Sequence, residues 1–178
     1  MRASGVLLPV SSLPSKYGIG SFSKEAFEFV DQLKRGGQKY WQILPLGPTG
    51  YGDSPYQSFS TFAGNPFYID LEALIQEGLL TEQECDSVDF TGHPSYVEYE
   101  KIYRGKFGVL RQAFGRYVPD KDYEDFVKEN AFWLEDYLMK YAQTTGPKVL
   151  AGKIVLEARN RYLSRELDDL TAVVIKVE

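Results

Sequence analysis

The stretch Tyr51-Gly52-Asp53-Ser54-Pro55-Tyr56-Gln57-Ser58-Phe59-Ser60 gathers the side chains most able to do chemistry: short hydroxyls and amides, one carboxylate, and aromatic rings. Sugars present an apolar ring face and a rim of hydroxyls, so tyrosine faces beside short hydrogen-bonding groups suit a glycan. A second reading is that Tyr51, Tyr56, Phe59, Phe62 and Phe67 pack as core beneath an Ω-type loop. Residue types alone leave both open. A phosphate cradle is disfavoured, because Gly47, Gly50 and Gly52 have the wrong spacing and no lysine follows them. Asp53 could act as a base, but a loop carboxylate more commonly accepts backbone N–H bonds in a turn. The single cysteine, Cys85, and the single histidine, His93, cannot build a zinc site or an intramolecular disulfide. The chemistry expected is therefore that of oxygen atoms.

The elements that must position this loop are legible on both sides. Gly5-Val6-Leu7-Leu8-Pro9-Val10 is an unbroken apolar run, as in a strand covered on both faces. A helix should follow, with Ser23 as N-cap, Phe22 and Phe27 as a hydrophobic staple, Ala26, Phe27, Val30 and Leu33 inward, and Gly36-Gly37 as its stop. Tyr40 to Leu46 is a second buried strand, parallel to the first by the handedness of such crossovers. The loop from Gly47 to Pro66 then runs about twenty residues, a length usual for functional loops. In an α/β barrel, the loop after a strand's carboxyl end is where sites lie.

Downstream the texture is helical. Phe67 to Asp70 reads as short and extended, Leu71 to Leu80 as a short helix, and Thr81-Glu82-Gln83-Glu84 as a capping box opening another. Residues 95–117 and 122–143 read as longer helices, the first with Tyr99, Tyr103, Phe107, Leu110, Phe114 and Tyr117 at helical spacing and therefore mostly core. His93 falls in an exposed turn, Cys85 reads as an inert thiol without a basic neighbour, and Asp120 to Glu129 as a solvated face. Three parts follow: 1–70, a first βαβ part with its loop at 47–66; 71–143, a helical insertion; and 144–178, a divergent tail.

With 178 residues, the chain is too short for a closed eight-stranded barrel of about 250. Hydrophobic residues at 43% and charged residues at 25% allow an ordinary soluble core. The net charge of −5, with no basic cluster, makes nucleic acid and anionic membranes poor partners. No signal peptide or membrane span is read, so the expected location is cytoplasmic.

Longer matches carry a resemblance. Ser4-Gly5-Val6-Leu7-Leu8-Pro9, Ser12-Leu13-Pro14, Tyr17-Gly18-Ile19-Gly20, Gly37-Gln38-Lys39-Tyr40-Trp41-Gln42-Ile43-Leu44-Pro45-Leu46, Gly50 to Ser58 and Ala63-Gly64-Asn65-Pro66 closely resemble the opening of the 4-α-glucanotransferases. These are the amylomaltases, or disproportionating enzymes, and the similarity runs from residue 1 to about residue 138. The resemblance implies an incomplete (β/α)₈ barrel: the first strands plus a helical insertion. It implies cofactor-free transfer of α-1,4-glucan segments between maltooligosaccharides, by a retaining mechanism that uses two carboxyl groups about 5 Å apart. In the family those carboxylates come from later barrel strands, so this chain alone is expected to be inactive.

The resemblance also makes Tyr56 the ring stacked on the donor sugar, with Ser54 a nearby hydroxyl contact. Tyr51 becomes the aromatic of an outer groove, joined by Tyr99 or Tyr103, and Asp53 belongs to the substrate loop while catalysis is assigned elsewhere. The alternatives are a non-catalytic glucan-binding piece, or a truncated or fused reading frame. Residues 153–178 weakly resemble the closing strand of metal-dependent Ser/Thr phosphatases, where an Asp pair such as Asp168-Asp169 precedes a β-run. Two barrel strands without neighbours would leave a sheet edge open, which predicts self-association.

Overall fold

Gly5 and Tyr40 meet so closely that a Cβ on Gly5 would lie 2.5 Å from the Tyr40 carbonyl oxygen. That approach lets strand β1 (Gly5–Leu7) pair in parallel with strand β2 (Tyr40–Ile43), in the register Gly5–Tyr40, Val6–Trp41, Leu7–Gln42. The computed structural model describes residues 2–49, 51–93, 95–142 and 173–176. They fall into two units: 1–45 with 66–117 and 172–178, and 46–65 with 118–171.

In the first unit, helix α1 (Lys24–Arg35) connects the parallel strands and stops as expected at Gly36-Gly37, where Gly37 takes a φ of +71°. Its inward face differs from the expectation. Phe27 is 72% exposed and Phe22 is also exposed, so no staple is buried there. The face that packs is Ala26, Phe29, Val30 and Leu33, with Phe29 edge-on to Trp41 at 5.1 Å. Phe22 instead meets Tyr68 edge-on. Ser23 sits at the N-cap position, but its hydroxyl donates to Glu25 rather than accepting a backbone N–H.

The expected β-rich run near the C-terminus contains strand β3 (Val173–Lys176). It lies antiparallel on the other side of β2, giving the order β1-β2-β3. Among the described residues, β1 therefore has a strand partner on one edge only. Residues 143–172 of the tail, with Asp168 and Asp169, lie outside the described residues.

The segment 67–70 expected to be extended is instead a 3-10 turn, Pro66–Tyr68. Proline presets a helical φ, and the Asp70 side chain accepts the Glu72 N–H at 3.2 Å, drawing the chain straight into helix α2 (Leu71–Gln76). Helix α2 ends before Leu80 because Gly78 turns the chain at φ +73° and the Leu79 and Leu80 N–H groups both bond back to Leu74 O. Helix α3 (Glu82–Asp86) carries the expected capping box, Glu84 N–H to Thr81 Oγ1 at 3.3 Å and Thr81 N–H to Glu84 Oε2 at 2.9 Å. Arg116 also donates to that Glu84 carboxylate, and these bonds lower its pKa to about 2.

Helix α4 (Tyr99–Arg116) buries Ile102, Lys106, Val109 and Ala113 against Tyr17, Leu71 and Cys85. The aromatic ladder expected to be core straddles that face: Tyr99, Phe107 and Leu110 are half-buried against the cluster, whereas Tyr103 and Phe114 are exposed. The central buried positions are aliphatic plus one lysine. In the second unit, helix α5 (Lys121–Ala142) follows the expected range within a residue.

Candidate functional site

The loop at 47–66 is closed at its neck by a backbone hydrogen bond, Asn65 N–H to Leu46 O at 2.8 Å. Inside, two serines build it rather than offering themselves to a ligand. Ser58 Oγ donates to Ser60 O at 2.7 Å, while Ser60 Oγ accepts the N–H groups of Phe62 and Ala63 at 3.3 and 3.0 Å. Gly47 lies against Ser58, where a Cβ would fall 2.8 Å from Ser58 Cβ. Gly47→Ala should therefore force the serine bracket aside, costing about 1–3 kcal/mol. A lower Tm and faster proteolysis within residues 47–65 would show it; an unchanged digestion pattern would count against this bracket.

The loop's rings divide between the two readings. Phe59 stacks on Tyr137 with centroids 6.0 Å apart, and Phe62 stacks on Trp133 at 5.9 Å and meets Phe132 edge-on. Phe59, half-buried, packs the loop onto α5, while Phe62 meets the same helix through rings at the surface, itself 60% exposed. Trp133 is fixed in turn by an Nε1–H bond to Asn130 Oδ1 at 2.8 Å. Phe67 belongs to the core of the first unit. Tyr56 does none of this and is 56% exposed.

The residues read from sequence as the site are thus Tyr51, Asp53, Ser54 and Tyr56 on one loop of one unit. Tyr51 opens a 3-10 turn, Tyr51–Asp53, which Gly52 breaks with φ +80°. Asp53 follows at φ +55°, the one non-glycine residue with positive φ among those described. The expected turn role for Asp53 does not form, since its carboxylate accepts no hydrogen bond among the described residues. Desolvation alone acts on it and pushes its pKa up. Ser54 is half-buried and its carbonyl accepts the Gln57 N–H. Tyr99 and Tyr103 lie in the other unit, the first against its core and the second edge-on to Phe107.

Sequence reasoning missed the bracket of Gly47, Ser58 and Ser60. The spacing Ser58-x-Ser60 was its only local signal. No group of three or more His, Cys, Asp or Glu side chains that could hold a metal occurs among the described residues. No helix among them is long and apolar enough to cross a membrane.

The profile of 4-alpha-glucanotransferase matches residues 8–146. The chain belongs to the 4-alpha-glucanotransferase family. It is 54% identical over 137 residues to the 4-alpha-glucanotransferase of Streptococcus pneumoniae, covering 75% of this chain and 27% of that protein. With that of Aquifex aeolicus it shares 44% identity over 180 residues, covering all of this chain, tail included, and 36% of the relative. Among solved structures, the amylomaltase from Streptococcus agalactiae in complex with acarbose matches with a TM-score of 0.70 at 34% identity, over 95% of this chain and 32% of that one. The chain thus spans about a quarter to a third of the length of these relatives. Its mixed helix and strand content is that of an amylomaltase segment.

Proposed function

We propose that this chain supplies the glucan-holding loop of a 4-α-glucanotransferase, with Tyr56 as the platform on which a glucose ring stacks. The exposed Tyr56 ring carries this reading, on a loop whose Phe59 and Phe62 rings meet those of α5 and whose Ser58 and Ser60 bond within the loop. Ser54, Asp53 and Tyr51 are its neighbours on the loop and the remaining glucan contacts. The substrate class follows from the family and from the acarbose complex of the Streptococcus agalactiae relative.

In this reading the fold is the opening of a (β/α)₈ barrel: first strands and loop in 1–70, helical insertion in 71–143, divergent tail in 144–178. Transfer with retention needs a nucleophile and an acid/base carboxylate on either side of the scissile bond. The family resemblance puts both outside this sequence. The purified chain should accordingly release no glucose from maltotriose and build no longer oligosaccharides. The proposed location is cytoplasmic, and the edge of β1 that has no strand partner among the described residues is the proposed place for self-association.

Titration with maltooligosaccharides, followed by fluorescence, tests the binding. Trp133 touches Phe62 of the same loop and is the reporter. A signal should appear in the parent chain, and Tyr56→Ala should weaken it about 30-fold, the usual cost of truncating an aromatic anchor. Equal affinities for parent and variant would remove Tyr56 from the site.

A further inference from the structure

An exposed ring is only as well placed as the backbone beneath it, and no ring or hydrogen bond among the described residues holds the Tyr56 side chain itself. We propose that Tyr137 of α5 is a positioning residue for Tyr56, acting through the Phe59 ring on which it stacks. This rests on reading the loop as a glucan site, and it gives that site a residue from outside the loop that touches no sugar.

Tyr137 is held by its own helix. Asn130 Nδ2 donates to Phe126 O at 2.8 Å, and Asn130 Oδ1 accepts from Trp133 Nε1–H at 2.8 Å. The Trp133 ring in turn meets that of Tyr137, four residues on along the same face, edge-to-face at 6.0 Å. Phe59 of the loop lies on the ring so fixed, with the two planes only 11° apart and both residues half-buried. A near-parallel stack sets the plane of a ring as well as its distance, which contact with an aliphatic side chain does not.

From Phe59 the placement passes to Tyr56 along a short piece of chain. Only Gln57 and Ser58 lie between them, a span of about 10 Å at most. Gln57 N–H closes a turn on Ser54 O at 3.2 Å, with Pro55 and Tyr56 as its central residues, and the proline fixes its own φ. On the other side Ser58 Oγ donates to Ser60 O at 2.7 Å, bracketing Phe59. With turn and bracket both closed, a shift of the Phe59 ring moves the backbone that carries Tyr56. Binding groups locked by such packing lose less freedom when a ligand arrives, and the ligand binds more tightly for it.

The test measures maltotriose binding by calorimetry to the parent chain, Tyr137→Phe, Tyr137→Leu, Tyr56→Ala and the double variant Tyr56→Ala/Tyr137→Leu. All are held below the lowest Tm of the set, with circular dichroism as the folding control. Tyr137→Phe keeps the stacked ring and should bind like the parent. Tyr137→Leu fills similar space without a ring plane and should bind about 3- to 10-fold more weakly, the range expected for an aromatic pair. A residue that acts only through Tyr56 adds nothing once Tyr56 is gone, so the double variant should bind no more weakly than Tyr56→Ala. Losses that add in the double variant, parent-like affinity in Tyr137→Leu, or equal loss in Tyr137→Phe and Tyr137→Leu would each overturn the positioning role. A weakened Tyr56→Ala beside any of these would leave the glucan reading standing, whereas no binding by the parent chain would overturn both.

Discussion

Trp41→Ala should leave the first unit largely unfolded near neutral pH, the largest single effect expected in this chain. Trp41 is 1% exposed at the middle of β2, paired with Val6 on one side and Ile175 on the other. Its ring meets Phe29 of α1 edge-on, and its Nε1–H donates to Leu8 O at 2.8 Å. Removing the ring costs about 3–5 kcal/mol by the usual size of such truncations. The Leu8 carbonyl then loses its donor, adding about 1–3 kcal/mol if water cannot replace it. Small domains hold only about 5–15 kcal/mol in all. Trp41→Phe separates the two contributions, because it keeps an aromatic ring against Phe29 and gives up the hydrogen bond. Urea unfolding followed by circular dichroism should give a midpoint for Trp41→Phe between those of the parent and Trp41→Ala. A normal midpoint for Trp41→Ala would mean that this tryptophan is not the hub of the sheet.

What could be read in advance divides along physical lines. The parallel pairing of β1 and β2, the glycine stop of α1 and the Thr81/Glu84 box were legible because each rests on a local rule: an apolar run, a positive φ, a reciprocal cap. The site loop was legible as a loop for the same reason. Phase was harder. Phe27 looked inward and is exposed, because a strong apolar residue outweighs a weak period in a short helix, and the partner that fixes the phase, Trp41, lies elsewhere in sequence. In α4 the conspicuous aromatics masked the true stripe Ile102, Lys106, Val109 and Ala113, since a lysine breaks any hydrophobic count. The antiparallel placement of β3 was beyond local reading: composition predicts a strand but neither its neighbour nor its direction. The same limit applied to Phe59 and Phe62, whose use as packing on α5 depends on a helix about seventy residues on.

That buried lysine makes the other large prediction, and its sign runs against habit. Lys106 is 1% exposed, and its Nζ donates to Phe67 O at 2.7 Å. Burial pulls its pKa down to about 8 from 10.5, with the nearby Asp70 charge working the other way. Between those two values the unfolded chain binds more protons than the folded one, so this group makes the fold more stable as pH rises. Below about pH 8 the folded core must hold the charge, at a cost of about 3 kcal/mol relative to pH above 10. Tyr17, Tyr68 and Cys85 are pushed up by burial and act in the opposite sense at the alkaline end of that range and above it. The parent alone would mix these effects, and comparison with Lys106→Met isolates the lysine. Methionine keeps the length and removes the amine, which leaves the Phe67 carbonyl without its donor at about 1–3 kcal/mol. At pH 7 that loss is offset by relief from the buried charge, so parent and variant should unfold at similar urea concentrations. At pH 10 the offset is gone, and the variant should be less stable by about 1–3 kcal/mol. Parallel stability curves from pH 7 to 10 would show that Lys106 does not carry the shifted proton.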